Sequence, residues 1–395
     1  MERVLMNQRV IHVEAPPGFV LKATVLSHGW HECAPMSWSE GGRCFQLIER
    51  ENDCVFRVSV LKCPSMALSA PKPRSHPAAQ NRRLCTAIPI PSPHPHPRKR
   101  GRGLRAAAFS SDPLPLRGGD APCDALRVLV ESHALDGRSD DPAIHAIISR
   151  LRITLGLDRD FSEFYALCAD HPALRVAPTI GAGRLIRSAS MTENMLKALC
   201  STNVNWTQAV KMINRLGQLG PIVPHFRNQN AWPTPREILR AGERYLNDIC
   251  RMGYRSECVL KFCRDVCDGK FDPDSLDAMA ADPNAGSDEI VARLRSIRGI
   301  GPSSAHSLLG FLGRHDRLSI DSATVAHVRA VHTKGRKPTL KQIERIYAPF
   351  GRWKNLVYWL ESWLRWSTAK SLVREVGTEA GAGAEVSDSA GTREH

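Results

Sequence analysis

Asp321 stands 20 residues after Gly301, and the stretch that joins them is where residues capable of chemistry concentrate. The segment reads Leu294-Arg295-Ser296-Ile297-Arg298-Gly299-Ile300-Gly301-Pro302-Ser303-Ser304-Ala305, with Ile320-Asp321 following. Glycines at 299 and 301 permit a tight turn, and Pro302 suits the first turn of a helix. Such a turn exposes backbone N–H groups at a helix start, a geometry that accepts a phosphate oxygen and grips a nucleic-acid backbone without reading sequence. A carboxylate beside it can stabilise positive charge developing on a sugar carbon and can orient or deprotonate water. Asp321 has a simpler reading as well, because Ser319-Ile320-Asp321-Ser322 precedes a plausible helix and aspartate is a good N-cap.

Ile290, Leu294 and Ile297 form one helical face and Ala305, Leu308, Leu309 and Leu312 another, which makes the glycine turn the bend of a helical hairpin. Helical spacing begins after Asp141, with Ile144, Ile147, Ile148, Leu151 and Leu155, and continues through Met195, Leu196, Leu199 and Val210, Ile213, Leu216. Gly156, Pro172, Pro178, Gly220-Pro221, Pro233 and Pro283 divide this half into short helices. Residues 10–62 read as a small β unit, with strands expected at Phe19–Val25, Cys44–Ile48 and Cys54–Val60 and a further strand near Leu126–Glu131 that can rejoin the sheet. The expected class is α+β: a mostly helical core over 140–366 behind a small N-terminal antiparallel β domain at 10–62, with 124–135 returning to it.

Lys and Arg total 54 against 40 Asp and Glu, a formal charge of +14. Ten of those cations lie in Pro64–Pro122 against Asp112 and Asp120, beside 12 of the 27 prolines, so 63–122 reads as a disordered Pro/Arg-rich insertion. Its Arg98-Lys99-Arg100-Gly101-Arg102 run reads as a nuclear localisation signal, a phosphate-binding tail or a solvated charge run, making the nucleus the expected compartment and an organelle the alternative. A second basic stretch, Ser322–Lys354, carries eight Lys/Arg and only Glu344 in a region that reads as folded. Within it Lys334, Arg336 and Lys337 are candidates to meet phosphate, against a plain solvated surface. The Ala/Gly/Ser/Glu-rich 367–395 reads as a disordered tail. No apolar run reaches the roughly 18 residues of a membrane span. Twelve scattered cysteines without a compact framework read as reduced thiols in an intracellular compartment.

At the glycine turn and Asp321 the chain resembles the helix-hairpin-helix DNA glycosylase superfamily, whose signature is a Gly-apolar-Gly hairpin followed by a Gly/Pro loop and an aspartate. Glu193-Asn194-Met195-Leu196-Lys197-Ala198-Leu199-Cys200-Ser201-Thr202-Asn203-Val204-Asn205-Trp206 is similar to the segment before the DNA-penetrating loop of the 8-oxoguanine branch. Leu21-Lys22-Ala23-Thr24-Val25-Leu26-Ser27-His28-Gly29-Trp30 is similar to the β domain of the 8-oxoguanine and inducible 3-methyladenine glycosylases.

The resemblance implies a base-excision repair enzyme that acts, as a monomer and without a cofactor, on double-stranded DNA carrying a damaged base. Gly299, Ile300, Gly301, Ser303 and Ser304 would hold the DNA backbone, in relatives commonly with a monovalent cation on main-chain carbonyls. Asn203 would enter the duplex, with a turn or cap as its alternative, and Trp206 would line the base pocket or simply pack. Asp321 would assist cleavage of the N-glycosidic bond.

Bifunctional relatives carry a lysine two residues after the second glycine. Ser303 occupies that position here, and a hydroxyl forms no Schiff base, so excision without strand cleavage is expected. Ala323 stands where the 8-oxoguanine branch has histidine, which favours alkylated purines over 8-oxoguanine as substrate. The four-cysteine iron–sulfur site of some relatives lies beyond the aspartate, whereas the last cysteine here is Cys267. Cys258, Cys263 and Cys267 without a nearby histidine read as packing groups, and no metal site is expected. The reading from another class is a non-catalytic hairpin module that binds DNA.

Overall fold

The computed structural model describes residues 7–63, 125–135, 141–223 and 229–366, together with 369, 370 and 373. The insertion and most of the tail read from the sequence lie outside the described residues.

Five strands form one antiparallel sheet: β1 (Asn7–Glu14), β2 (Met36–Ser39), β3 (Cys44–Glu51), β4 (Cys54–Lys62) and β5 (Ala125–Ser132), in the order β1-β5-β4-β3-β2. The strand beyond the proline-rich segment thus rejoins the sheet, and it does so between β1 and β4, pairing Val128 with both Ile11 and Val60. One segment departs from expectation. Phe19–Val25 contains no strand; Leu21–Val25 is a short helix, α1, every residue of which is buried. Its β-branched residues suggested a strand, but with neighbours on all sides the local preference yields to tertiary packing.

Helices follow: α2 (Pro142–Leu155), α3 (Ser162–Asp170), α4 (Met191–Ser201), α5 (Trp206–Gly217), α6 (Pro235–Asp248), α7 (Arg255–Cys267), α8 (Ser275–Ala281), α9 (Ser287–Arg295), α10 (Pro302–Phe311), α11 (Ser322–Val331), α12 (Leu340–Tyr347) and α13 (Lys354–Trp363). The α2 face of Ile147, Leu151 and Leu155 is buried against Phe45, Val58 and Val128 of the sheet, so the first helix completes the β unit's core. Leu199, Phe262, Leu294, Ile300 and Leu308 belong to a second core beneath the hairpin. A third gathers Phe164, Leu318, Val328, Tyr347 and Trp363 around α13. Three tryptophans near the end of the described chain, Trp359, Trp363 and Trp366, differ in burial. Trp363 is buried and donates to Leu26 O at 2.8 Å, Trp359 is half-buried and donates to Ser27 O at 2.9 Å, and Trp366 is exposed. Both bonds fasten the end of α1 to the C-terminal helix. Among the described residues no helix is long and apolar enough to cross a membrane.

Candidate DNA-binding and catalytic site

α9 and α10 are the two arms of the expected hairpin. Gly299 lies at φ +96°, and a Cβ there would stand 2.9 Å from Leu199 Cδ2 and 3.1 Å from Cys258 Sγ. Both backbone conformation and close packing therefore require glycine at this position. Gly301 is different: its φ is −84° and nothing lies within 4 Å of a Cβ placed on it. It is the N-cap of α10 and supplies no side-chain cap, so the helix starts with uncapped first-turn N–H groups beside open space. Ile300 turns its side chain into the core, leaving only its backbone at the bend. Ser303 and Ser304 follow in the first turn, both half-buried.

Asp321 is the N-cap of α11 and remains exposed. Its Oδ1 accepts from Thr324 N at 2.8 Å, while its own N–H donates to Thr324 Oγ1 at 3.2 Å, so the two reciprocate as a capping box. Oδ2 takes no hydrogen bond from the described residues. The capping reading is met by one oxygen, and it does not use up the carboxylate.

The approach to Asp321 is bound to the hairpin. Buried Ser319 donates its hydroxyl to Ser303 O at 3.0 Å, and its oxygen lies 3.1 Å from Ser303 Oγ and 2.8 Å from Ser307 Oγ. Since the Ser319 proton is committed to the carbonyl, both other hydroxyls can donate to it. His306 Nδ1–H adds a donation to Leu318 O at 2.8 Å. From the other side Asn355 Oδ1 of α13 accepts from Ser319 N at 2.9 Å. Tyr358, one turn along α13, is buried; burial, then the neighbouring charge of Asp321, drives its phenol well above the usual range and keeps it neutral.

Asn203 occupies the loop after α4 in a left-handed conformation, φ +48°, with its side chain exposed. Its amide donates to Tyr254 Oη at 3.2 Å, and Tyr254 is 60% exposed. Beneath them the buried Arg255 guanidinium donates to Asn203 O at 3.0 Å and to Thr202 O. Helix α7 thus supports two features at once, Arg255 under the Asn203 loop and Cys258 under the hairpin glycine. Sequence reasoning missed Tyr254 and Arg255; their signal is the Gly253 turn placing an aromatic directly before a helix.

Trp206 lies flat against Gly29, where a Cβ would meet its Cζ2 at 2.4 Å, and donates to Glu32 Oε2 at 3.3 Å. Between it and the core stands His28, whose ring is 5.2 Å from Trp30, 5.1 Å from Phe311, 5.1 Å from Trp359 and 6.2 Å from Trp206. Burial, reinforced by His31 and Lys197, lowers the His28 pKa to about 3, so the imidazole is neutral. Lys334, Arg336 and Lys337 are all exposed in the turn after α11. Lys337 and Arg329 border a 460 Å³ depression that reaches Ser322, the residue after Asp321. The described cysteines are free thiols, with Cys258 and Cys263 buried and Cys267 half-buried.

Compared by sequence, the chain matches no family model and no curated protein. Compared by structure, it matches the 3-methyladenine DNA-glycosylase of Archaeoglobus fulgidus with a TM-score of 0.59 at 15% identity, covering 90% of this chain and 99% of that one. The fold is that of the helix-hairpin-helix DNA glycosylases. MBOgg1 in complex with a low-affinity DNA ligand gives a TM-score of 0.58 at 16% identity over 94% of this chain and 99% of its own. The Clostridium acetobutylicum 8-oxoguanine glycosylase/lyase, in complex with double-stranded DNA containing cytosine opposite 8-oxoguanine, gives 0.58 at 14% over 91% and 97%.

Proposed function

We propose that the protein is a DNA N-glycosylase that extrudes a damaged base from duplex DNA and hydrolyses its N-glycosidic bond with Asp321. The observation that carries this reading is the fastening of the Asp321 loop to the first turns of α10 through Ser303, Ser307 and Ser319. A phosphate bound at the uncapped N–H groups of α10 and a sugar facing Asp321 are then held in one frame. Extrusion costs a few kcal/mol of stacking and pairing. Asn203 and Tyr254, standing together on the α7 support, are suited to fill the space the base leaves.

Cleavage develops positive charge on the deoxyribose ring. The Asp321 carboxylate stabilises that charge through space and orients water for attack at C1′, accepting its proton. Ser303 offers no amine, and the buried Lys197 is paired with Glu193 at 2.7 Å, so neither supplies a Schiff-base nucleophile. Base release without strand cleavage follows.

Alkylated purines are the substrate class we favour. Aromatic faces attract a cationic base, and a neutral His28 does not repel one. Ala323 two residues after the aspartate argues against an 8-oxoguanine preference. The second reading, a non-catalytic hairpin module that binds DNA, is favoured by the capping role of Asp321, which by itself accounts for an aspartate at that position.

A base-release assay on duplexes carrying oxidised, deaminated or alkylated bases, developed with and without hot alkali, tests the proposal. Release of an alkylated purine with strand breaks only after alkali is expected. Borohydride trapping of a covalent enzyme–DNA adduct contradicts the monofunctional mechanism, and no release from any duplex supports the binding module.

A further inference from the structure

At the far end of α11 from Asp321, three ligand-type side chains from two helices converge. His327 Nε2 lies 3.0 Å and His332 Nε2 2.9 Å from the same oxygen, Oε2 of Glu361 on α13, and the three atoms lie within 4.8 Å of one another. Tyr347 Oη donates to that oxygen as well, at 2.7 Å. Three donors therefore compete for one carboxylate oxygen, which offers two lone pairs.

We propose that His327, His332 and Glu361 form a binding site for a divalent transition ion, zinc being the ion that suits two imidazoles and one carboxylate. Zinc bonds of about 2.0–2.2 Å in tetrahedral geometry place ligand atoms roughly 3.3 Å apart, so the two histidine–carboxylate separations need to open by only a few tenths of an ångström, and the two imidazole nitrogens lie within 4.8 Å of each other. Each Nε2 coordinates as the neutral imidazole, its proton residing on Nδ1. Tyr347 Oη, 2.7 Å from Glu361 Oε2 and 3.4 Å from His332 Nε2, borders the site and holds the ligating carboxylate by donating to it. The His332 side chain is 26% exposed, which opens a route for the ion and leaves a fourth position for water, whereas His327 and Glu361 are nearly closed off. The ion would clip the end of α11 to α13, and it requires nothing of the glycosylase reading.

The test uses the full chain, stripped with a chelator and titrated with zinc chloride against a chromophoric competitor, beside His332→Ala and His327→Gln. His332 is exposed enough for its removal to leave the fold intact, which circular dichroism without metal verifies. The site predicts one equivalent of zinc bound by the parent protein at micromolar affinity or tighter, at least about 100-fold weaker binding in His332→Ala, and a zinc-dependent rise in melting temperature that this variant lacks. Equal zinc binding by parent and His332→Ala overturns the site, as does no zinc retained by either.

Discussion

The hydroxyl of Ser319 lies 3.1 Å from that of Ser303 and donates to the Ser303 carbonyl, so the loop that carries Asp321 is joined to the hairpin at the residue where bifunctional relatives carry lysine. Ser319→Ala removes a buried oxygen that serves three partners. A loss of about 1–3 kcal/mol is expected in urea denaturation, with excision falling further than DNA affinity because the aspartate is displaced while the α10 N–H groups remain. Unchanged stability and excision would show that this link positions nothing.

The two hairpin glycines should separate fold from binding. Gly299→Ala forces a side chain into φ +96° against Leu199 and Cys258, and is expected to cost about 2 kcal/mol or more. Gly301→Ala meets no atom and no backbone conflict, so stability should stay within about 0.5 kcal/mol. Its methyl group instead occupies the space in front of α10. Duplex affinity measured by fluorescence anisotropy should fall for a variant that melts normally; unchanged affinity would place the DNA backbone elsewhere.

Asn203→Gly keeps the left-handed backbone while deleting the side chain, and Tyr254→Ala removes its partner. Each should slow excision from duplex DNA by about tenfold, roughly 1.4 kcal/mol of extrusion cost, with little effect on the same lesion in a single strand. Equal losses on both substrates would remove these residues from the role of a wedge.

The hairpin, its two flanking faces and Asp321 were legible because glycine, helical periodicity and a following carboxylate leave a local pattern. Strands β3, β4 and β5 were legible for the same reason. α1 was not, since Leu21–Val25 is buried all round and shows neither helical nor strand periodicity. The supports of the site were equally hidden. Ser319, Arg255 and His28 meet Ser303, Asn203 and Trp359, which lie 16, 52 and 331 residues away in sequence, and no local spacing announces those contacts. For Trp206 the sequence leaves pocket and packing both open, and its contact with Gly29, between two distant parts of the chain, has no local signal.

His315 carries a pH prediction. Buried beside Arg159 and stacked on Trp353, it has its pKa lowered from 6.5 to about 3, chiefly by desolvation. An unfolded chain takes up a proton below pH 6.5 that the folded one refuses until about pH 3. The contribution of the neutral ring is complete above pH 6.5 and erodes as pH falls, at up to about 1.4 kcal/mol per pH unit. Glu49, raised to about 7 by burial, works in the opposite direction, so the difference between variant and parent is the informative quantity. Urea denaturation at pH 7.5 and 5.0 should show a shallower loss for His315→Gln; identical slopes would contradict the assignment.

Asparagine retains the oxygen that caps α11, so Asp321→Asn removes the charge while leaving the helix start bonded. Single-turnover base release on whichever duplex the parent protein processes, measured beside duplex affinity, is the most direct test of the account. A rate loss of about 100-fold or more with affinity unchanged within about threefold is predicted. Release at the parental rate would remove Asp321 from the chemistry and, with it, the mechanism.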